Sequence, residues 1–359
     1  MPRFIEARYN RRTVKPLVEP AVTEPVEVSK PPRYYKQGCQ QNKVDSPNFF
    51  YYGSVMTIQE FKSSAIKKLS SSPSPALDVS VLLEHCLKLN KTQILLNAGK
   101  ELSQEEANWL EKAISLRKTG LPIAYITRNK EFYGYNFIVS QDVLIPKPDT
   151  EILVEKALDL IIAKMEARPD IVLSICDMCT GSGCIGLSVL KQLIEEYKIP
   201  SGSLPKLTLC DISPAALEIA RQNAQKLLPP EEAEEIRFIQ TNLFSEVEYT
   251  FDLILTNPPY IPASMVDELL KDGRNEPRLA LDGDVGFFGE ATKSNDGLDL
   301  IRRLLPESYE HLAGNGILLM ETGEYNAQEA SRLAQQAGFR NVKIHKDLEG
   351  QLRVTEGVR

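Results

Sequence analysis

No run of this 359-residue chain approaches the roughly 18 consecutive apolar residues of a membrane-crossing helix, so no span is expected. A surplus of positive charge is also missing: 42 Lys and Arg against 49 Asp and Glu leave a net charge of -7. That balance gives no general attraction to nucleic acid. Histidine is scarce, and His85, His311 and His345 are too scattered to build a metal site. Six cysteines in so long a chain, without a secretory leader, point to a reducing, cytoplasmic setting and free thiols. Cys176 and Cys179 do form a C-x-x-C, with Cys184 close by. The pattern reads either as a redox or metal pair or as small residues packed around a tight turn. No second pair completes a zinc set, so packing is preferred and no metal is expected.

What remains is ordinary globular material, 42% hydrophobic and 25% charged, long enough for two domains. Residues 1–55 stand apart. VEPAVTEPVEVSKPP is rich in proline and valine without a helical period, and Glu6, Glu19, Glu24 and Glu27 are wrong for an acid-poor transit peptide. A disordered extension or a mis-called start is expected, with Met56 the preferred true start. From Met56 the apolar spacing becomes helical, through Ile58, Phe61, Ala65 and Leu69, then Leu82, Leu83, Cys86 and Leu89. Ser103 with Glu106 spells a capping box for a helix closed by Gly120. Residues 56–121 therefore read as a small helical domain. Residues 122–148 hold aromatic and β-branched residues around Gly134, which suggests a hairpin, and then the stiff IPKP connector. From 149 to 359 helical and strand patterns alternate, which predicts a mostly parallel sheet covered on both faces, an α/β domain.

Two motifs in this last domain carry chemistry. DMCTGSGCIG, residues 177–186, follows the first strand and opens a helix, and its glycines let the backbone approach a ligand. Gly181-x-Gly183-x-x-Gly186 also fits a dinucleotide fingerprint, and Asp211 ends the next strand where an acid would bind a ribose. The pair says nucleoside cofactor without saying which. Asp177 tips the balance towards S-adenosylmethionine, because a carboxylate there suits a cationic amino acid moiety and repels a pyrophosphate.

The second motif is Asn257-Pro258-Pro259-Tyr260, where an apolar strand stops dead. An amide nitrogen is a poor nucleophile, and acceptors placed on its N–H groups steer its lone pair towards a methyl donor. Asn257 offers a side-chain oxygen, and Pro258 offers a carbonyl that Pro259 cannot draw into a ladder. Tyr260 has a ring to pack on the planar acceptor.

From Met56 onward the chain resembles the release-factor glutamine N5-methyltransferases (the HemK/PrmC family). The residues that carry the likeness are EFYGYNFIVSQDVLIPKPDTE, DMCTGSGCIGLS, NPPYI, the EPRLAL segment from Glu276, and DLEGQLRV. The resemblance implies a Rossmann-like, seven-stranded class I methyltransferase domain over 149–359, preceded by the hairpin linker and a helical domain that docks the substrate. It implies S-adenosylmethionine held by Asp177, Cys179, Thr180, Gly181, Ser182, Gly183, Asp211, Asn242, Leu243 and Asn257. It implies a class 1 release factor whose Gly-Gly-Gln glutamine lies against Asn257, Pro258, Pro259 and Tyr260, with Asn257, Pro258 and Tyr260 catalytic. A monomer acting without direct contact to nucleic acid or membrane is expected.

Four positions depart from the family pattern. Cys179 replaces a glycine, which is tolerable only if its φ stays negative. Lys147 and Asp149 stand where arginine and glutamate are usual, and Asn242 where aspartate is common, its oxygen still able to accept from an adenine amine. Residues 284–295 form an insertion, expected to be a surface loop flanking the cleft. Three other readings stay open: an amine methyltransferase on DNA or RNA, a nicotinamide oxidoreductase, and an inactive adaptor for release factors.

Overall fold

The computed structural model describes residues 56–286 and 289–359. The reading of residues 1–55 lies outside the described residues. The helical part begins with α1 (Ile58–Lys68), α2 (Pro75–Leu87), α3 (Lys91–Leu96) and α4 (Gln104–Lys118). Thr57 with Glu60, Asn90 with Gln93, and Ser103 with Glu106 each close a reciprocal capping box, so three of these helices start where the sequence says they must. Their inward faces make a core of their own, from Ile58, Phe61 and Leu69 to Leu82, Leu110 and Ile114.

The connector holds a short helix, α5 (Ile123–Thr127), that the β-rich composition did not suggest. Next come β1 (Asn129–Phe132) and β2 (Tyr135–Ile138), paired antiparallel around Tyr133 and Gly134, both at positive φ. Two such residues give the twist of a tight hairpin turn. After it, α6 (Glu151–Ala167) leads into the sheet domain.

Seven strands make that sheet: β3 (Ser174–Met178), β4 (Lys206–Asp211), β5 (Arg237–Gln240), β6 (Phe251–Thr256), β7 (Leu312–Glu321), β8 (Arg340–Lys346) and β9 (Leu352–Val358). Their order is β5-β4-β3-β6-β7-β9-β8, parallel except for β9, which runs against both its neighbours. Central strands covered on both faces are buried along their length, and Ile175–Met178 and Leu253–Thr256 are all buried, with Asp177 and Thr256 their polar members. One face is covered by α6, α7 (Cys184–Glu195) and α8 (Pro214–Leu227). The other is covered by α11 (Asp299–Glu310) and α12 (Ala327–Gln336). The short α9 (Pro230–Glu234) and α10 (Ala263–Leu269) lie in connections.

Register fixes what happens at the edge of this sheet. Met178 pairs with Cys210 and Thr256, and Thr256 pairs with Met320. Asp211, Asn257 and Glu321, each one residue further on, therefore reach the C-terminal edge at one level. The chain reverses order between β3 and β6, the switch point where open α/β sheets leave a crevice.

Candidate active site

The first wall of that crevice is backbone. After β3 the chain turns through Cys179 to Ser182, and the Gly181 N–H donates to Asp211 Oδ2 at 2.8 Å. The Ser213 N–H donates to Asp211 Oδ1 at 2.9 Å, so the carboxylate is clamped before any ligand arrives. Burial pushes the Asp211 carboxyl above its ordinary range, while these amides oppose the shift. Asp177 is buried beneath the loop; its Oδ2 accepts from the Thr180 hydroxyl at 2.8 Å and the Gly186 N–H at 3.0 Å. Its Oδ1 is buried without a partner, and burial raises the carboxyl to about 7. Gly186 is required by packing, since a Cβ there would lie 2.9 Å from Leu209 Cδ2 and 3.0 Å from Leu207 Cδ1.

Cys179 corrects an expectation. Its φ is +59, in the left-handed region rather than negative. The chain after it is pinned by Thr180 N–H to Cys210 O at 3.0 Å and by the Gly181–Asp211 bond, which leaves residue 179 no other turn. A non-glycine residue there costs roughly 1–2 kcal/mol. The C-x-x-C does not act as a unit: Cys176 is buried with its sulfur 3.9 Å from that of Cys210, while Cys179 borders the crevice. Among the described residues, no group of three or more His, Cys, Asp or Glu is arranged to hold a metal.

Further along the crevice, Leu243 sits at φ +52 and is buried beside Asn242. Asn242 Oδ1 accepts from Arg303 Nη2 at 3.0 Å, and Arg303 Nη1 donates to Gly286 O at 3.2 Å. The oxygen expected to meet an adenine amine thus already carries one guanidinium bond. Gly286, with Val285 and Gly289, brings the insertion to the crevice rim, as a flanking loop. Its base is not superficial: Asp284 is buried and accepts from the N–H groups of Ala263, Asp296 and Gly297.

The opposite wall is made by side chains from far apart. Asn257 Nδ2 donates to Thr150 Oγ1 at 3.2 Å, tying the end of β6 to the start of α6. The Tyr260 hydroxyl donates to Glu321 Oε1 at 3.2 Å. Asn326 Nδ2 donates to Tyr260 O at 3.0 Å. Lys147 pairs with Glu276 at 2.7 Å and Asp149 with Arg353 at 3.2 Å, so the two linker substitutions keep ionic partners.

Of the residues expected from the sequence, Cys179, Thr180, Gly181, Ser182, Asp211, Asn242, Leu243, Asn257 and Pro259 line one crevice of about 1240 Å³ including its open mouth. Asp177, Gly183, Pro258 and Tyr260 are not among its lining residues. The residues fit a nucleoside cofactor. The Asp211 carboxylate borders the space, no atom lies within 4 Å of where a Gly181 Cβ would point, and Ile212, 46% exposed, offers an apolar flank with Leu243. Four contributors were not read from the sequence: Thr150, Ile212, Asn223 and Glu321. Asn223 is fully buried on α8; its Nδ2 donates to Ser182 O and Ile138 O, and its Oδ1 accepts from the Ile138 N–H, fastening the hairpin to the glycine loop. Only Glu321 left a signal, as an acid closing the apolar run GILLM.

The family model described as the PrmC N-terminal domain matches residues 61–127, and the methyltransferase small domain matches residues 152–276. The seven-stranded domain thus has the class I S-adenosylmethionine methyltransferase fold. A release factor glutamine methyltransferase of Leptospira interrogans is 37% identical over 303 residues, 84% of this chain and 96% of the relative. One from Koribacter versatilis is 36% identical over 307 residues, 84% of this chain and 98% of the relative. A solved methyltransferase from Pyrococcus furiosus is 16% identical with a TM-score of 0.41, over 69% of this chain and 98% of that one, a likeness too weak to carry an argument.

Proposed function

The chain belongs to the release factor glutamine methyltransferase family, and from that premise we propose how its crevice works. The enzyme transfers a methyl group from S-adenosylmethionine to the side-chain N5 of a glutamine in a release factor. The cofactor, when bound, supplies an electrophilic methyl on a sulfonium. Asp211 holds its ribose, the turn from Cys179 to Gly183 wraps it, Asn242 and Leu243 border its adenine, and Asp177 supports the loop from beneath. The glutamine of the Gly-Gly-Gln loop of a class 1 factor enters from the opposite side.

There Asn257 Oδ1 and Pro258 O accept the two N–H bonds of the acceptor amide, which aims the nitrogen lone pair at the methyl. Pro259 keeps the turn rigid, and Tyr260 packs on the amide plane. The acceptor nitrogen would be left with one proton too many, and water at the open mouth of the crevice would take it. Residues 56–121 serve as the docking domain, 122–148 as the linker and 149–359 as the catalytic domain. The separate hydrophobic core of the first supports that division. The enzyme acts as a cytoplasmic monomer on protein rather than nucleic acid, in keeping with its acidic balance. Among the described residues, no helix is long and apolar enough to cross a membrane.

The observation that carries this reading is the tether of Asn257. Its Nδ2 is spent on Thr150, which turns the acceptor oxygen away from that contact, at a crevice shared with Asp211. The test is transfer of labelled methyl to a purified release factor, to its Gly-Gly-Gln glutamine variant, and to duplex DNA. Label is expected only on the intact factor. Asn257→Ala should lower kcat about 100-fold or more while cofactor affinity stays within threefold. Label on DNA, or an Asn257→Ala enzyme at the parent rate, would overturn the assignment of substrate or of role respectively.

A further inference from the structure

Glu321 ends β7 with its side chain fully buried. The nearby guanidinium of Arg353 is already shared by Asp347 at 3.0 Å and Asp149 at 3.2 Å. Two hydroxyls face the Glu321 carboxylate. Tyr260 donates to Oε1 at 3.2 Å, and the Thr150 hydroxyl stands near enough to hold the carboxyl down without a hydrogen bond of normal geometry between them. The other carboxylate oxygen, Oε2, is buried without a hydrogen-bond partner. On its other side the same Thr150 oxygen takes the Nδ2 proton of Asn257 at 3.2 Å.

We infer that Glu321 is a positioning residue for the acceptor amide, setting through Thr150 which face of Asn257 looks into the crevice and through its own Oε1 where Tyr260 stands. The inference rests on the proposed role of Asn257. An ionised carboxylate can only accept, so the unpartnered Oε2 draws the single hydroxyl proton of Thr150 towards Glu321. The Thr150 oxygen is then left as an acceptor, and Asn257 must offer it N–H. The amide oxygen of Asn257 is thereby turned to the substrate, which needs an acceptor. If Glu321 takes up a proton it can donate to Thr150, the hydroxyl proton is released towards Asn257, and the amide is free to turn over.

Burial, only partly offset by Thr150, Arg353 and Tyr260 and assisted by Asp149, raises Glu321 to about 7. Cys184, which feels the Glu321 charge, and Tyr325, whose hydroxyl donates to the Tyr260 carbonyl, are both pushed up to about 12, chiefly by burial, and stay neutral in this range. The parent enzyme is therefore expected to lose kcat as pH falls through about 7, a limb that the unionisable substrate amide cannot produce.

The experiment is kcat against pH, with cofactor dissociation constants and thermal unfolding measured beside it, for the parent, Glu321→Gln, Thr150→Val and Thr150→Ser. Glu321→Gln should lower kcat at least tenfold at pH 8 and flatten the profile. Thr150→Val should lower kcat by a similar factor with cofactor affinity unchanged, and Thr150→Ser should restore it to within threefold. Parent rates and an unchanged pH limb in both Glu321→Gln and Thr150→Val would overturn the inference, as would failure of Thr150→Ser to rescue. Asn257→Ala separates the two levels. If it is impaired while Glu321→Gln is not, only the relay fails; if Asn257→Ala is itself unimpaired, the reading beneath it fails.

Discussion

The two walls of the crevice are built on different principles. The cofactor wall is nearly all main chain from one contiguous β-α-β unit, where Gly181, Gly186 and Ser213 amides fasten Asp177 and Asp211. The acceptor wall is held by side chains from four distant segments, with Asn257 on Thr150, Tyr260 on Glu321 and Asn326, and the insertion clasped by Asp284. Main-chain bonds survive most substitutions, whereas a side-chain network fails when one member is changed. The cofactor wall should therefore tolerate side-chain change except at its acids. The acceptor wall should be fragile at every joint, including joints remote from the chemistry.

Gly297 offers the sharpest break between them. It lies at φ +74 against the acceptor turn, and a Cβ there would stand 2.1 Å from Tyr260 O. Gly297→Ala must push residues 259–261 aside, and displacement of a reacting group by about 1 Å costs on the order of 100-fold in rate. We expect kcat to fall by about that factor while the cofactor dissociation constant, from calorimetric titration, stays within threefold. A parallel loss of cofactor affinity would mean that the walls do not fail separately.

Asp211→Ala should give the reverse pattern. It removes the ribose acid and strands the Gly181 and Ser213 amides. A hydrogen bond to a charged group is worth roughly 1.5–3 kcal/mol, so cofactor affinity should fall by about 30-fold. With cofactor saturating, kcat and the KM for the release factor should change less than threefold. Titration calorimetry and steady-state kinetics at high cofactor check both halves of that statement.

This division also explains what was legible in the sequence. The glycine loop and Asp211 were readable because a β-α-β crossover puts neighbours in sequence beside one another in space, and glycine marks close backbone approach. The helical domain was readable because capping boxes and the 3.6 period are local signals. Thr150, Asn223 and Glu321 were not, because nothing near them in sequence states their partners, which lie 107, 41 and 61 residues away. Helix α5 was missed for a related reason: Ile123–Thr127 is β-branched and aromatic in composition, and its fold follows from the core that Tyr125 fills, with its hydroxyl on Val143 O at 2.7 Å. The φ of Cys179 was not legible because the two bonds that follow it set the turn, not the preference of its own side chain.

That last position gives the smallest and most diagnostic effect. Cys179→Gly removes a left-handed penalty of roughly 1–2 kcal/mol. Against this, glycine adds unfolded-state freedom worth roughly 0.5–1 kcal/mol, and the half-buried thiol loses its contacts beside Met178 and Leu243. The terms nearly cancel, with relief of strain slightly ahead, so stability should rise by about 0.5 kcal/mol and the unfolding midpoint by about 1 °C. Cofactor affinity should not move by more than twofold, because the bonds that shape the loop are made by the Thr180 and Gly181 amides and not by the thiol. A midpoint lowered by several degrees, or a cofactor lost with the sulfur, would show that the first wall also depends on side chains, and the contrast with the second would then be one of degree.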